Sequence, residues 1–73
     1  MGAMKTFALE TIEGCIRKGG GRTTAARLSV RFTTLGVGIT PEQAATLAER
    51  LGFKVTQRRV TIGATDTTQY VVQ

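Results

Sequence analysis

The titratable side chains of this 73-residue chain are five carboxylates, one thiol, one phenol and ten cations; histidine is absent. General acid–base chemistry draws most often on histidine, or on a carboxylate whose surroundings shift its proton affinity. Glu10 and Glu13 stand three apart and Glu42 and Glu49 seven apart, spacings that give solvated helix faces rather than a paired acid and base. Cys15 is alone, whereas a structural zinc takes about four Cys or His ligands and a reactive thiol wants a base or cation beside it. It is read as a core side chain. No Gly-x-Gly-x-x-Gly, P-loop, Cys-x-x-Cys or nucleophile elbow occurs. The expectation is a protein that is not an enzyme, with no metal site, no cofactor and no small-molecule substrate. One loop, Arg17-Lys18-Gly19-Gly20-Gly21-Arg22, could bring backbone amides to a phosphate. Its alternative is a flexible linker flanked by charge.

The cations are more informative. The formal net charge is +5, and its distribution is uneven. Residues 17–31 hold Arg17, Lys18, Arg22, Arg27 and Arg31 with no acid, and residues 54–62 hold Lys54, Arg58 and Arg59, again with none. The three remaining stretches each carry a net charge of −1. Solubilising charge on small domains usually mixes both signs; acid-free blocks are what a polyanion-facing surface needs.

Those residues must be positioned by a thin fold. A chain near 70 residues buries only about 60% of the surface its unfolded form exposes. Met1-Gly2-Ala3 ahead of Met4 has the form of an expression-tag remnant, so one small domain is expected over residues 4–73. The spacing of Ala8, Leu9, Ile12, Cys15 and Ile16 predicts a first helix over Thr6–Lys18, with Thr6 as cap and the glycines as stop. Thr40-Pro41-Glu42-Gln43 combines an N-cap, proline at the first helical position and a capping-box glutamine. Ala44, Leu47, Ala48 and Leu51 form the apolar stripe of that helix, and Gly52 its stop. Beyond it, Phe53–Ile62 and Thr68–Val72 read as strands joined by Gly63–Thr67, a hairpin. The parity of Phe53 and Val55 differs from that of Val60 and Ile62, which calls for a bulge near Arg58 or a change of buried side. Between Thr23 and Ile39 two patterns compete. Ala25, Leu28, Phe32 and Leu35 fit a helix, while Leu28, Val30 and Phe32 alternate as in a strand.

Thr24-Ala25-Ala26-Arg27-Leu28-Ser29-Val30 is similar to the first helix and turn of a winged helix-turn-helix DNA-binding domain. The order helix, helix, helix, hairpin resembles that family across nearly the whole chain. The resemblance implies a mostly α fold with a C-terminal β-hairpin, three helices plus a wing. It also implies groove contacts from Gln43, Thr46 and Arg50, wing contacts from Arg58 and Arg59 with Lys54 as a further nucleic-acid-binding residue at the entry to the wing, and backbone contacts from Arg17, Lys18, Arg22, Arg27 and Arg31. If Ser29–Thr34 is instead a strand, the fold is α+β, helix–strand–helix–hairpin, and Arg27 and Arg31 share a face with Ser29 and Thr33.

Either fold leads to a nucleic-acid-binding module, a sequence-specific or architectural DNA-binding protein acting as a regulator or accessory factor, with RNA as the alternative partner. A protein-interaction or inhibitory module using a β edge near Tyr70-Val71-Val72 is the other class, and the same edge would make a homodimer. Apolar runs do not exceed three residues, far below the ~20 of a membrane span. One unpaired cysteine suits a reducing compartment; a cytoplasmic location without membrane contact is expected.

Overall fold

The computed structural model describes residues 2–73. The chain runs as α1 (Gly2–Lys18), β1 (Thr23–Thr24), α2 (Ala25–Thr34), α3 (Pro41–Arg50), β2 (Val55–Ile62) and β3 (Thr65–Val72). The strands form one antiparallel sheet in the order β1-β3-β2. The fold is therefore α+β: three helices and a three-stranded antiparallel sheet.

α1 starts at Gly2, not at Thr6. Ala3, Met4 and Lys5 are good helix formers with no breaker among them, so nothing stops the helix at Thr6. Two of the three residues read as a tag remnant thus continue α1; the third, Met1, lies outside the described residues.

α2 decides the ambiguous middle in favour of the helix, and Ser29–Thr34 is not a strand. Ala25, Leu28 and Phe32 are buried, the three-and-four spacing of one helical face. Val30, which the alternation put inside, is 67% exposed, because a residue two along a helix lies on nearly the opposite side. Thr24 caps the helix by accepting from the Arg27 amide at 3.2 Å.

α3 forms as its sequence dictates. The Thr40 hydroxyl accepts from the Gln43 amide at 3.1 Å and the Gln43 side-chain oxygen accepts from the Thr40 amide at 2.9 Å. The segment before it is held rather than loose: Ser29 Oγ donates to the Ile39 carbonyl at 2.6 Å, and Val37 and Ile39 pack on the core. Each helix ends on the same paired bonds. Gly21 and Gly20 amides bond back to Ile16 and Arg17, those of Val37 and Gly36 to Phe32 and Thr33, and those of Phe53 and Gly52 to Ala48 and Glu49.

The core gathers Ala8 and Ile12 from α1, Leu28 and Phe32 from α2, Ala44 and Ala48 from α3, and Val72 from β3. Phe7 and Phe32 meet edge to face, with centroids 6.0 Å apart. Cys15 is half-buried and packs on this core. Alanines at the buried positions of α3 let its backbone approach α2 and the sheet closely.

The hairpin is longer and more regular than expected. β2 and β3 stay in one register from Val55↔Val72 to Ile62↔Thr65, so no bulge intervenes near Arg58. The two-residue turn Gly63-Ala64 needs a positive φ at its first position only, and Gly63 supplies it at 63°. The parity change has a simpler cause. Val72 is buried at the hairpin base, while Ile62 at the tip is 69% exposed: the hairpin outruns the core. The molecule measures 43 × 23 × 21 Å as a result.

Thr40→Ala removes one half of the α3 capping box and should lower stability by about 1 kcal/mol. A urea midpoint shifted down at unchanged slope is the expected reading.

Candidate nucleic-acid interface

Arg22 and Arg27 come from the first acid-free block and Arg58 from the second, more than thirty residues along the chain. They line one concavity of about 340 Å³, together with Gly19, Thr23, Thr24, Thr56, Gln69, Val71 and Gln73. No acid lines it. Its remaining polar side chains are threonine hydroxyls and glutamine amides, all able to donate to a phosphate oxygen.

Three local features position the arginines. The helix stop at Gly19-Gly20-Gly21 turns the chain so that the Arg22 carbonyl oxygen lies where a Cβ on Gly19 would sit. That close approach leaves room only for glycine. β1 then pairs Thr23 with Val72 and Thr24 with Val71, and the Thr24 cap sets the first turn of α2, where Arg27 stands. The side of the hairpin on which Arg58 emerges follows from the register. Successive side chains alternate across a sheet, Val55 packs on the core at the β2 base, and so Thr56 and Arg58 face outward, opposite Val71 and Gln69.

The glycine loop does not serve as a phosphate cradle. The amides of Gly19, Gly20 and Gly21 all donate to carbonyls of Cys15, Ile16 and Arg17 at 2.9–3.2 Å. They terminate α1 and have nothing left to offer a ligand.

The other expected contact residues lie elsewhere. Lys18 and Arg31 line a second concavity, between α1 and α2, beside Glu10 and Cys15. Thr46 lies in a third, between α3 and the hairpin, with Glu42, Ala45, Glu49, Val55, Gln57 and Tyr70. Gln43 is exposed, but its carbonyl oxygen is held in the capping box. Arg17, Arg50, Lys54 and Arg59 are exposed and line none of these three. Arg59 emerges on the opposite side of β2 from Arg58. Sequence reasoning did not single out Thr24, Thr56, Gln69 and Gln73 as lining residues. Neutral polar residues on a strand carry no charge signal, and only the hairpin register brings them to the arginines.

Among the described residues, no group of three or more His, Cys, Asp or Glu is placed to hold a metal ion, and no helix is long and apolar enough to cross a membrane.

Gly19→Ala drives a methyl group into the Arg22 carbonyl and should cost about 1–3 kcal/mol. Because it also shifts Arg22 and the entry to β1, thermal melting should fall together with polyanion affinity.

The chain matches no protein-family model, and no curated protein or solved structure matches it significantly.

Proposed function

We propose that this chain is a nucleic-acid-binding module with DNA as its partner. The observation that carries the reading is the meeting of Arg22, Arg27 and Arg58 in one acid-free concavity. Guanidinium groups match phosphate oxygens in planar, two-bond geometry, and like charges grouped without a counter-ion favour a polyanion over the free state. The order of elements supports the winged helix-turn-helix resemblance, with α2 and α3 as the helix pair and the β2–β3 hairpin as the wing. The proposal assigns the chain no reaction and places it in the cytoplasm as a small regulator or accessory factor.

Affinity for duplex DNA should fall linearly on a log–log plot against salt, each neutralised phosphate contributing about 0.9 to the slope. Arg58→Ala should weaken binding to every sequence alike and reduce that slope by about one unit. Affinity indifferent to salt, or binding unchanged in Arg58→Ala, would sink the proposal.

A second reading, a protein-interaction module, is favoured by the geometry of β3. Lys54 and Gln73 exchange both backbone hydrogen bonds, at 2.8 and 2.9 Å. In an antiparallel ladder such pairs recur at every second residue, so Gln69, Thr67 and Thr65 point their backbone groups toward β2. Those of Tyr70, Thr68 and Asp66 point the other way, beyond the end of β1, which covers only Val71 and Val72. This open edge is where a second copy of the chain would add a strand. Thr68→Pro removes an outward N–H without touching the β2–β3 bonds. Sedimentation over a range of concentrations should show a dimer that Thr68→Pro converts to monomer; a wild-type monomer throughout would eliminate this reading.

A further inference from the structure

We infer that the ligand is a nucleic-acid duplex held by its phosphate backbone in the Arg22–Arg27–Arg58 groove, with α3 turned away from the bases. The inference rests on the nucleic-acid reading above and departs from what the winged helix-turn-helix resemblance implies for α3.

Charge separates the two grooves beside the hairpin, although Arg59 shares the Val55 side of β2 and lines neither. The outward side carries Arg58 and meets Arg22 and Arg27 with no acid. The inward side meets α3 in a groove lined by Glu42 and Glu49 with no cation. A helix entering the major groove passes between two phosphate strands, and Glu42 and Glu49 would be brought there unpaired. Like charges brought together in a partly dehydrated interface oppose binding, whereas the arginine groove gains from the same field.

The side chains expected to read bases are also engaged. Adenine is read by an amide that offers its oxygen and nitrogen together. The Gln43 oxygen already accepts from the Thr40 amide at 2.9 Å, and the Thr46 hydroxyl donates to the Glu42 carbonyl at 3.0 Å. Of the three, Arg50 alone is left, and it is the last residue of α3.

The absence of a stacking platform selects the duplex over a single strand. Proteins that hold single strands stack bases on aromatic rings. This chain has three phenylalanines, one tyrosine and no tryptophan. Phe7, Phe32 and Phe53 belong to the core, and Tyr70 is half-buried on the α3 side. Apart from Val71, the side chains of the groove offer only hydroxyl, amide and guanidinium groups, which suits a sugar–phosphate backbone whose bases stay paired.

Anisotropy titrations of the full chain with a short duplex of arbitrary sequence, one of its strands alone, and a duplex of different sequence test this. Expected are duplex binding about tenfold tighter than the single strand, and little difference between the duplexes. Arg27→Ala combined with Arg58→Ala should weaken both duplexes equally, by about tenfold, and flatten the salt slope by about two units. Glu42→Gln combined with Glu49→Gln should leave both affinities within about twofold. Equal binding of strand and duplex would overturn the inference. So would a large gain in duplex affinity or a new sequence preference in the glutamine variant. Wild-type protein that binds neither form would remove the nucleic-acid reading itself, a different result from binding that ignores Arg27 and Arg58.

Discussion

Six residues, Gly19 to Thr24, carry the constraint on which the rest of the molecule depends. In that span the chain must stop α1, reverse, add a strand to the sheet and cap α2. It does so by closing the glycine amides onto α1, laying Thr23 against Val72, and turning the Thr24 hydroxyl to the Arg27 amide. Thr23 is buried at 5% exposure beside fully buried Val72, so the strand pair and the core close together. Without that pairing, a two-stranded hairpin that outruns its core would be marginal and Arg58 would have no fixed relation to Arg22 or Arg27.

Much of this could be read from the sequence, and the parts that could not have a common cause. α3 was legible from end to end because cap, stripe and stop are all local signals; the structure places Thr40, Gln43, Ala44, Ala48 and Gly52 in those roles. α2 was ambiguous because Leu28, Val30 and Phe32 satisfy a two-residue period as well as Ala25, Leu28 and Phe32 satisfy a helical one. Burial of Ala25 and exposure of Val30 decide it, and both are tertiary facts. β1 was invisible: two threonines have no period, and they are a strand only because β3 lies alongside. At the candidate site the two basic blocks were legible as charge. Which arginines meet was not, since that follows from the hairpin register and from a turn that admits only glycine at position 19.

The same locality explains the tension at α3. A residue that caps a helix is less free to read a base, because one of its oxygen lone pairs is already used, and Gln43 is such a residue. Its fit to the capping box, Thr40 hydroxyl to Gln43 amide and Gln43 oxygen to Thr40 amide, accounts for the residue completely. Glu42 likewise suits the positive end of the helix dipole. The first turn of α3 is thus built for helix stability, and its one acid, Glu42, adds negative charge to the exposed face.

The cations of the Arg22–Arg27–Arg58 concavity are of one kind. Every cation there is an arginine, while Lys5, Lys18 and Lys54 lie elsewhere. Three arginines line one concavity, and none of the five acidic side chains lines it beside them. Asp66, on the hairpin that carries Arg58, instead accepts from the Thr61 hydroxyl at 2.7 Å near the tip. The arginines stand on elements fixed by other contacts: the Gly19 turn, the Thr24 helix cap and the β2–β3 strand register. That frame fixes where the three backbones stand and leaves the exposed side chains free to orient.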